Sequence, residues 1–247
     1  MESGLNNLRK LFASGIYRIP DYQRGYAWGN KEVEDFWEDL FNLAVERQHY
    51  GGVITLEEIP EDKVDKNETD SWFLSKINKT PYYIVDGQQR LTTAMLLLKV
   101  IIEVAKSSGV EYLNEFDSIS EIEKEFIVLK RDADNVFYLP FSYETDNDSY
   151  GFYISNILEL KGSEDEYPIY ENKYSDNLQH AFEFFKEKVK KLKQEEVKPQ
   201  AFDKAVKKLA KILKPGIMKK VSNPQQDSLF SMFQQMGIQN PGIEPEM

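Results

Sequence analysis

The chain has 247 residues, of which 41% are hydrophobic and 13% aromatic, and its formal net charge at pH 7 is -11. This charge excludes a protein that simply coats nucleic acid without specificity, because a protein that displaces counterions from a phosphate backbone needs an excess of cations. The hydrophobic content excludes global disorder. The chain has no cysteine, which excludes disulfides, thiol nucleophiles and cysteine-based zinc sites.

The apolar spacing predicts alternating strands and helices in the first half of the chain. Strands are indicated by short alternating or β-branched runs that end at turn residues, and helices by apolar positions repeating at three and four residues. The predicted strands are 16–19, 50–56 and 82–85, the predicted helices are 32–46 and 88–105, and residues 57–80 are a predicted loop. Helix 88–105 is apolar on nearly every side, which is typical of a buried helix.

The second half of the chain is predicted to be mainly helical and is more basic. Apolar periodicity indicates helices at 150–160, 177–192 and 201–213. Residues 181–220 carry a charge of +8, so the remainder carries -19. We expect a first domain at 1–142, a helical region at 143–214 and a flexible tail at 215–247, where Gln, Asn, Pro and Gly are frequent.

We expect a cytoplasmic protein with no membrane partner. The N-terminal residues lack the apolar region of a signal peptide. The longest apolar stretch, at 91–105, contains Lys99 and Glu103 and is too short to cross a bilayer.

A first motif, YIVDGQQRLTT at residues 83–93, predicts a strand, a tight turn and the start of a helix. This geometry directs free backbone N–H groups and the positive end of the helix dipole out of the turn, where a phosphate binds well. Arg90 adds donors for phosphate oxygens, and Asp86 adds a carboxylate for Mg²⁺ or for orienting a water molecule. The alternative interpretation is an acidic turn without a ligand, in which Gln88 and Gln89 solvate the start of the helix.

Two further motifs precede the first one. In IPDYQRGYAW, at residues 19–28, aromatic side chains beside Arg24 are suited to stacking a base and holding a phosphate. Tyr26 and Trp28 are equally suited to filling the seam between the strand and the next helix. In YGGVITL, at residues 50–56, the paired glycines indicate either close approach by a ligand or backbone, or a β-bulge.

Together and in this order, the three motifs resemble the N-terminal domain of GmrSD-type restriction proteins, a family also called domain of unknown function 262, in the ParB/sulfiredoxin-like superfamily. The family pattern is matched at 19–28, 52–56 and 86–93, and the resemblance covers about residues 8–105, with fainter similarity to about residue 192. It implies an α+β fold, with a small mixed sheet of ParB/sulfiredoxin-like type and packed helices, followed by a mainly helical C-terminal half.

The resemblance also implies a function and a set of site residues. The function is that of an NTP-binding and NTP-hydrolysing module of a prokaryotic restriction or anti-phage defence system, which acts on modified or foreign DNA with a separate HNH-type nuclease. The implied cofactors are Mg²⁺ and an NTP, namely GTP, UTP or CTP. The implied residues are catalytic Asp86, Gln88 and Gln89, nucleotide-binding Tyr22, Gln23, Arg24, Gly87, Arg90 and Thr92, and the metal ligand Asp86.

The chain departs from the family pattern in two places. It has no HNH signature, because its two histidines, His49 and His180, lie far apart in the sequence, so the nuclease must come from another chain or region. It also lacks a convincing copy of the FExLNxRG segment.

Two other functions and one other partner stay open. A non-hydrolytic sensor or adaptor would bind a nucleotide or a modified base through Tyr22, Tyr26 and Trp28, and a ParB-like nickase would use a metal at Asp86. The lysines of residues 181–220 are suited either to DNA contact or to a solvated helix face.

Overall fold

The structure is a computed structural model that describes residues 3–42, 52–60, 79–112, 118–131, 136–160, 168–194 and 218–222. The strands are β1 (Ser3–Asn6), β2 (Gly15–Ile19), β3 (Val53–Glu58), β4 (Thr80–Asp86), β5 (Leu129–Arg131), β6 (Val136–Tyr138), β7 (Phe141–Tyr143) and β8 (Met218–Ser222). The helices are α1 (Leu8–Ser14), α2 (Asn30–Phe41), α3 (Gln88–Ser107), α4 (Ile119–Ile122), α5 (Tyr150–Phe152) and α6 (Lys173–Gln194). Two of them continue as π-helical turns, α4 over Glu123–Ile127 and α5 over Tyr153–Ile157.

Six of the strands form one mixed sheet in the order β1-β8-β3-β4-β2-β7. The β8/β3, β4/β2 and β2/β7 pairs are parallel, and the β1/β8 and β3/β4 pairs are antiparallel. Strands β5 and β6 form a separate antiparallel pair. A small mixed sheet with packed helices confirms the predicted α+β class, whereas the more specific likeness to ParB and sulfiredoxin stays a prediction.

Helix α3 is the centre of the core. Residues 91–102 are buried without interruption, so the helix contacts protein on every side. Lys99 is buried within this run, and its Nζ forms an ion pair at 3.0 Å with Glu103, one turn further on. Burial on every side agrees with the continuous apolar sequence of this segment.

Helices α2 and α6 pack against each other through aromatic side chains. The buried residues of α2 are Val33, Phe36, Trp37 and Leu40, which follow the spacing of one helix face. The ring of Phe185 on α6 lies 6.4 Å from the ring of Phe36 and 6.3 Å from that of Trp37. This contact joins the predicted helical region to the first part of the chain.

Most of the predicted elements correspond to an element of the structure, with bounds that differ by a few residues. Strands 16–19 and 82–85 and helices 88–105 and 177–192 lie within β2, β4, α3 and α6, each of which extends further. Predicted helix 32–46 corresponds to α2, which begins at Asn30 and ends at Phe41. Predicted strand 50–56 corresponds to β3, which begins at Val53, and the edges of the predicted 57–80 loop belong to β3 and β4. Predicted helix 201–213 lies outside the described residues.

The sequence analysis did not predict β8. It lies inside the expected flexible tail at 215–247, yet residues 218–222 pair with both β1 and β3. Main-chain N–H and C=O groups form such ladders with little dependence on the side-chain pattern, so a polar segment can complete a sheet. The division of the chain at residues 142 and 214 stays a prediction. No helix in the described part of the chain is long and apolar enough to cross a membrane.

Candidate functional site

The three sequence motifs meet where β4 ends and α3 begins. Gly87 has a left-handed backbone with φ of 90°, and a Cβ atom there would lie 2.8 Å from the carbonyl oxygen of Val53. Gly52, with φ of 98°, lies under the side chain of Arg90, because a Cβ on Gly52 would be 3.0 Å from the guanidinium carbon. Each glycine therefore fits a position that a side chain would obstruct.

The group that approaches Gly52 closely is a side chain, whereas the sequence analysis expected a ligand or backbone there, or a β-bulge. The neighbouring group is the guanidinium of Arg90. A register irregularity does occur between β3 and β4, but it lies at Thr55 and Leu56, beyond the glycines. Gly51 lies outside the described residues.

The N-terminus of α3 has no capping side chain. Gly87 is the N-cap residue, and the first helical turn contains no acidic residue. The N–H of Leu91 donates to the carbonyl of Gly87 at 3.1 Å, so the preceding N–H groups, at residues 88–90, come before the first helical hydrogen bond. These donors and the positive end of the helix dipole favour a negatively charged group.

Residues 20–27, which we name the Tyr-Gln-Arg turn, lie beside this helix start. The side-chain amide of Gln23 donates to the carbonyl of Val85 at 2.9 Å. The Oε1 of Gln89 accepts a hydrogen bond from the N–H of Ala27 at 2.7 Å, and its Nε2 donates to the carbonyl of Gly25 at 3.1 Å. Arg24 thus lies between two attachment points, one on the end of β4 and the other on the first turn of α3.

The inner side of the Tyr-Gln-Arg turn is packed into the core. Tyr26 is completely buried, and its hydroxyl forms a 2.7 Å hydrogen bond with that of Thr93. Two residues further along the chain, Trp28 is half-buried, and its ring lies 6.1 Å from that of Phe36. These two aromatics therefore fill the seam beside α2, while Tyr22, with 69% of its surface exposed, lies on the outer side.

The loop after β7 supports the turn from the opposite direction. The buried amide of Asn147 donates to the carbonyls of Pro20 and Gln23, at 2.9 and 3.0 Å. Glu144 accepts hydrogen bonds from the N–H of Asp21 at 3.0 Å and from the hydroxyl of Tyr83 at 2.5 Å. The sequence analysis missed both residues, and the one available signal was the run of turn-forming residues 144–149, which contains Asp, Asn and Ser.

The site has a cationic part and an acidic part. Arg24 and Arg90 are exposed, and no described carboxylate forms an ion pair with either of them. Partial burial raises the pKa of the Tyr22 hydroxyl, and three carboxylates raise it further. They belong to Glu57, Glu144 and Asp21. Burial and the hydrogen bond to Glu144 likewise raise the pKa of Tyr83.

The nine predicted site residues lie in two groups. Tyr22, Arg24, Asp86 and Arg90 are exposed, and Gln23, Gln88 and the Gly87 backbone lie beside them. Gln89 and Thr92 face the interior: Gln89 is occupied by the Tyr-Gln-Arg turn, and Thr92 is fully buried with its hydroxyl 3.5 Å from that of Tyr143. These two side chains face the core because successive residues on a helix point about 100° apart, and their predicted contact with a ligand stays a prediction.

Asp86 is the carboxylate that the sequence analysis assigned to a metal ion, so the kind of metal site depends on how many further acidic residues lie near it. Among the described residues, no three of His, Cys, Asp or Glu are close enough together to hold a metal ion. Mg²⁺ is commonly bound through one or two carboxylates together with water and substrate phosphates. Asp86, exposed beside the helix start, therefore fits the role of the single protein ligand for a nucleotide-bound Mg²⁺.

Three described lysines of the predicted DNA-contacting region have partners within the chain, whereas Lys190 is exposed. Lys186 lies 3.4 Å from a carboxylate oxygen of Glu103, and Lys191 forms an ion pair with Glu187. Lys188 lies over the ring of Phe184, with Nζ 5.1 Å from its centre. The side chains of residues 193–220 are outside the described part of the structure. For α6, these contacts fit a solvated helix face.

The fold and the assembled motifs define an α+β domain with a cationic site at the start of its central helix, and its family membership makes it a component of a restriction or defence system and implies a nuclease partner domain. The family model described as "GmrSD restriction endonuclease, N-terminal domain" matches residues 5–238. The chain belongs to this GmrSD N-terminal domain family, which confirms the resemblance seen in the sequence. A search of curated proteins finds no significant match.

Proposed function

We propose that this domain binds a nucleoside triphosphate with Mg²⁺ at the N-terminus of α3 and hydrolyses it. The observation that supports this proposal is the convergence of an uncapped helix start, the exposed Arg24 and Arg90, and Asp86. Backbone N–H groups, guanidinium forks and one carboxylate are the groups that phosphate and its metal ion require. We expect GTP, UTP or CTP as the nucleotide.

The binding roles follow from where each group lies. The N–H groups of residues 88–90 and the helix dipole bind phosphate oxygens, and Arg90 and Arg24 add charge-assisted hydrogen bonds. Gly52 leaves room for the guanidinium of Arg90, because a Cβ at this position would lie 3.0 Å from the guanidinium carbon. Tyr22 and the exposed Val85 provide an apolar surface next to these groups on which a base can stack.

Hydrolysis needs positioning and charge neutralisation more than covalent chemistry. Asp86 would hold Mg²⁺ or orient the attacking water, and the half-buried Gln88 would help to orient that water. Mg²⁺, when it is bound with the nucleotide, neutralises charge that develops on the phosphates. Gln89 is left out of this step, because both ends of its amide are bonded to the Tyr-Gln-Arg turn.

We further propose that nucleotide turnover is coupled to a separate HNH-type nuclease that cuts modified or foreign DNA. Family membership supports the nuclease partner. DNA contact through residues 181–220 remains part of this proposal, with the lysines beyond α6 as its main contributors, since those described on α6 are largely paired.

A non-hydrolytic sensor is the second candidate function, and the exposure of Tyr22 favours it. Tyr22 is 69% exposed, and Val85, next to Asp86, is 41% exposed, so the two offer a stacking surface without any need for catalysis. Tyr26 and Trp28 no longer contribute to this candidate, because they pack against Thr93 and Phe36. For the nickase, we find no acidic cluster in the described residues that favours it.

One experiment separates these functions. The purified chain is incubated with each of the four NTPs and Mg²⁺, with and without a chelator, and phosphate release is measured beside plasmid nicking. We expect metal-dependent release from GTP, UTP or CTP and no nicking. Binding of a slowly hydrolysed analogue without any release supports the sensor, and nicking that is lost in Asp86→Ala supports the nickase. A chain that neither binds nor hydrolyses any NTP contradicts the proposed function.

A further inference from the structure

We propose that Asn147 and Gln89 are positioning residues that together fix the Tyr-Gln-Arg turn and so hold Arg24 at the phosphate-binding end of α3. This inference rests on the proposed function, because it concerns the residue through which the turn contacts a nucleotide. Neither side chain touches the ligand in this scheme. Each acts through main-chain groups of the turn.

Asn147 is attached to the first half of the turn. Its side chain is 3% exposed, and its Nδ2 donates to the carbonyls of both Pro20 and Gln23. Its Oδ1 accepts a hydrogen bond from the N–H of Ser149 at 3.0 Å, which fixes the orientation of the amide. Both N–H donors of this buried amide therefore point at the turn.

Gln89 is attached to the second half of the turn. Its side chain is 9% exposed and forms one accepting and one donating contact with the main chain, to Ala27 and Gly25. Its own main-chain carbonyl accepts a hydrogen bond from the hydroxyl of Thr93 at 2.7 Å, and Thr93 also contacts Tyr26. The amide of Gln89 thus ties the turn to the same helical turn that provides the N–H donors.

Arg24 lies between these attachments. Its neighbours Gln23 and Gly25 are held by Asn147 and Gln89 respectively, so the main chain of Arg24 is restrained from both sides. Gly25 has no room to move toward the loop after β7, since a Cβ placed on it would lie 2.1 Å from the Ser149 hydroxyl. An exposed arginine on a restrained backbone loses less conformational freedom when it binds a ligand, which increases affinity.

The acid isosteres test each attachment with little change in volume. Asn147→Asp keeps the acceptor for Ser149 but replaces both donations with a carboxylate facing two carbonyl oxygens. Gln89→Glu keeps the acceptor for Ala27 and loses the donation to Gly25. Asn156→Asp is the matched control, because Asn156 is exposed and the same charge is added there. Thermal unfolding identifies any variant that fails to fold, and the other variant then decides the test.

The first measurement is the affinity for the β,γ-imido analogues of GTP, UTP and CTP, in the otherwise wild-type chain and in an Arg24→Ala background. We expect Asn147→Asp and Gln89→Glu each to weaken binding about tenfold, and we expect this effect to disappear in the Arg24→Ala background, since residues that act through one group are not additive. Unchanged affinity, or a loss that persists without Arg24, overturns the proposal.

The second measurement is hydrogen exchange of residues 20–28 without a ligand, which tests the positioning independently of the nucleotide. We expect faster exchange in this segment in both variants, with α6 and the Asn156→Asp control unchanged. Unchanged exchange at 20–28 overturns the proposal. If the wild-type chain binds no analogue, the proposed function fails, and the exchange data alone decide whether the two amides fix the turn.

Discussion

The inner and outer sides of the Tyr-Gln-Arg turn differ strongly in solvent exposure, although both carry a tyrosine. Tyr22 and Tyr26 are four residues apart in one motif, yet Tyr22 is 69% exposed and Tyr26 is completely buried. The hydroxyl of Tyr26 is bonded to Thr93, whereas that of Tyr22 lies among carboxylates. A single short motif thus supplies both a buried core residue and an exposed surface residue, so the residues of one motif do not all share one role.

The residues of the first turn of α3 also separate into exposed and buried ones. Arg90 is exposed and Gln88 is half-buried, while Gln89, Leu91 and Thr92 face the interior. The helical period causes this division, because neighbouring residues point in directions about 100° apart. Substitutions on the inner side should therefore change stability, and substitutions on the outer side should change ligand binding or turnover.

The largest effect is expected for Tyr26→Ala, on the inner side. Removal of a fully buried aromatic ring costs about 3 to 5 kcal/mol of unfolding free energy, and the hydroxyl of Thr93 also loses one of its two partners. Tyr22→Ala is the matched control, with an expected change of about 0.5 kcal/mol or less because the side chain is exposed. Urea unfolding measures both. Equal losses in the two variants would contradict the division of the turn.

The next effect is expected for Asp86→Ala, on the outer side. A residue that positions metal and water acts mainly in the transition state, so we expect turnover to fall about 100-fold and nucleotide affinity to change much less. Asp39→Ala removes an exposed carboxylate from α2 and should leave both unchanged. Phosphate release at saturating nucleotide decides the question. Wild-type turnover in Asp86→Ala would remove this residue from the mechanism.

The main architecture could be predicted from the sequence because its signals are local. The apolar run of α3, the stripe of α2 and the alternation of β2 each reflect burial within one element. Strand β8 carries no such signal, since its pairing depends on the edges that β1 and β3 provide. Strand β7 has three residues, which is too short for any periodicity to show.

The candidate site could be predicted in outline but not in detail. The three motifs indicated one site, and the structure does bring them together around Gly87 and Arg90. The burial of Thr92 and the attachment of Gln89 depend on the rotation of α3 against the core, which a motif does not encode. Asn147 lies in a polar loop 127 positions after its partner Pro20, and no local pattern connects the two.

A smaller effect is expected for the two arginines. Arg90→Ala and Arg24→Ala should each weaken nucleotide binding by about 1.5 to 3 kcal/mol, the usual range for a lost hydrogen bond to a charged group. Arg90→Lys should recover part of this loss, because lysine keeps the charge but not the planar fork. Lys31→Ala, which removes an exposed charge on α2, is the control. Calorimetric titration with a slowly hydrolysed analogue measures each affinity, and unchanged affinity in both alanine variants would make the arginines structural.

The burial of Tyr26 should make the unfolding free energy depend on pH in the alkaline range. Burial raises the pKa of Tyr26 above its ordinary value of 10.0, so above that pH the unfolded chain loses this proton while the folded chain keeps it. The unfolding free energy should therefore fall as pH rises beyond about 10, by up to about 1.4 kcal/mol per pH unit for one such group. Tyr26→Phe should reduce this slope, measured by urea unfolding between pH 8 and pH 11. An unchanged slope would mean that Tyr26 ionises at its ordinary pH in the folded chain.

The smallest effect is expected for the lysines of α6. Reversal of charge in the double variant Lys188→Glu, Lys190→Glu should lower DNA retention only slightly, and the slope of log affinity against log salt should change by at most about two, one for each lysine. Lys188 lies over Phe184 and Lys190 is exposed, whereas the neighbouring Lys186 and Lys191 are paired with Glu103 and Glu187, so α6 offers DNA only a small number of unpaired positive charges. Nucleotide turnover should be unchanged, because no described contact joins these lysines to α3's first turn or to the Tyr-Gln-Arg turn. Filter binding at several salt concentrations measures the slope, and complete loss of DNA retention in this double variant would make α6 the main DNA contact.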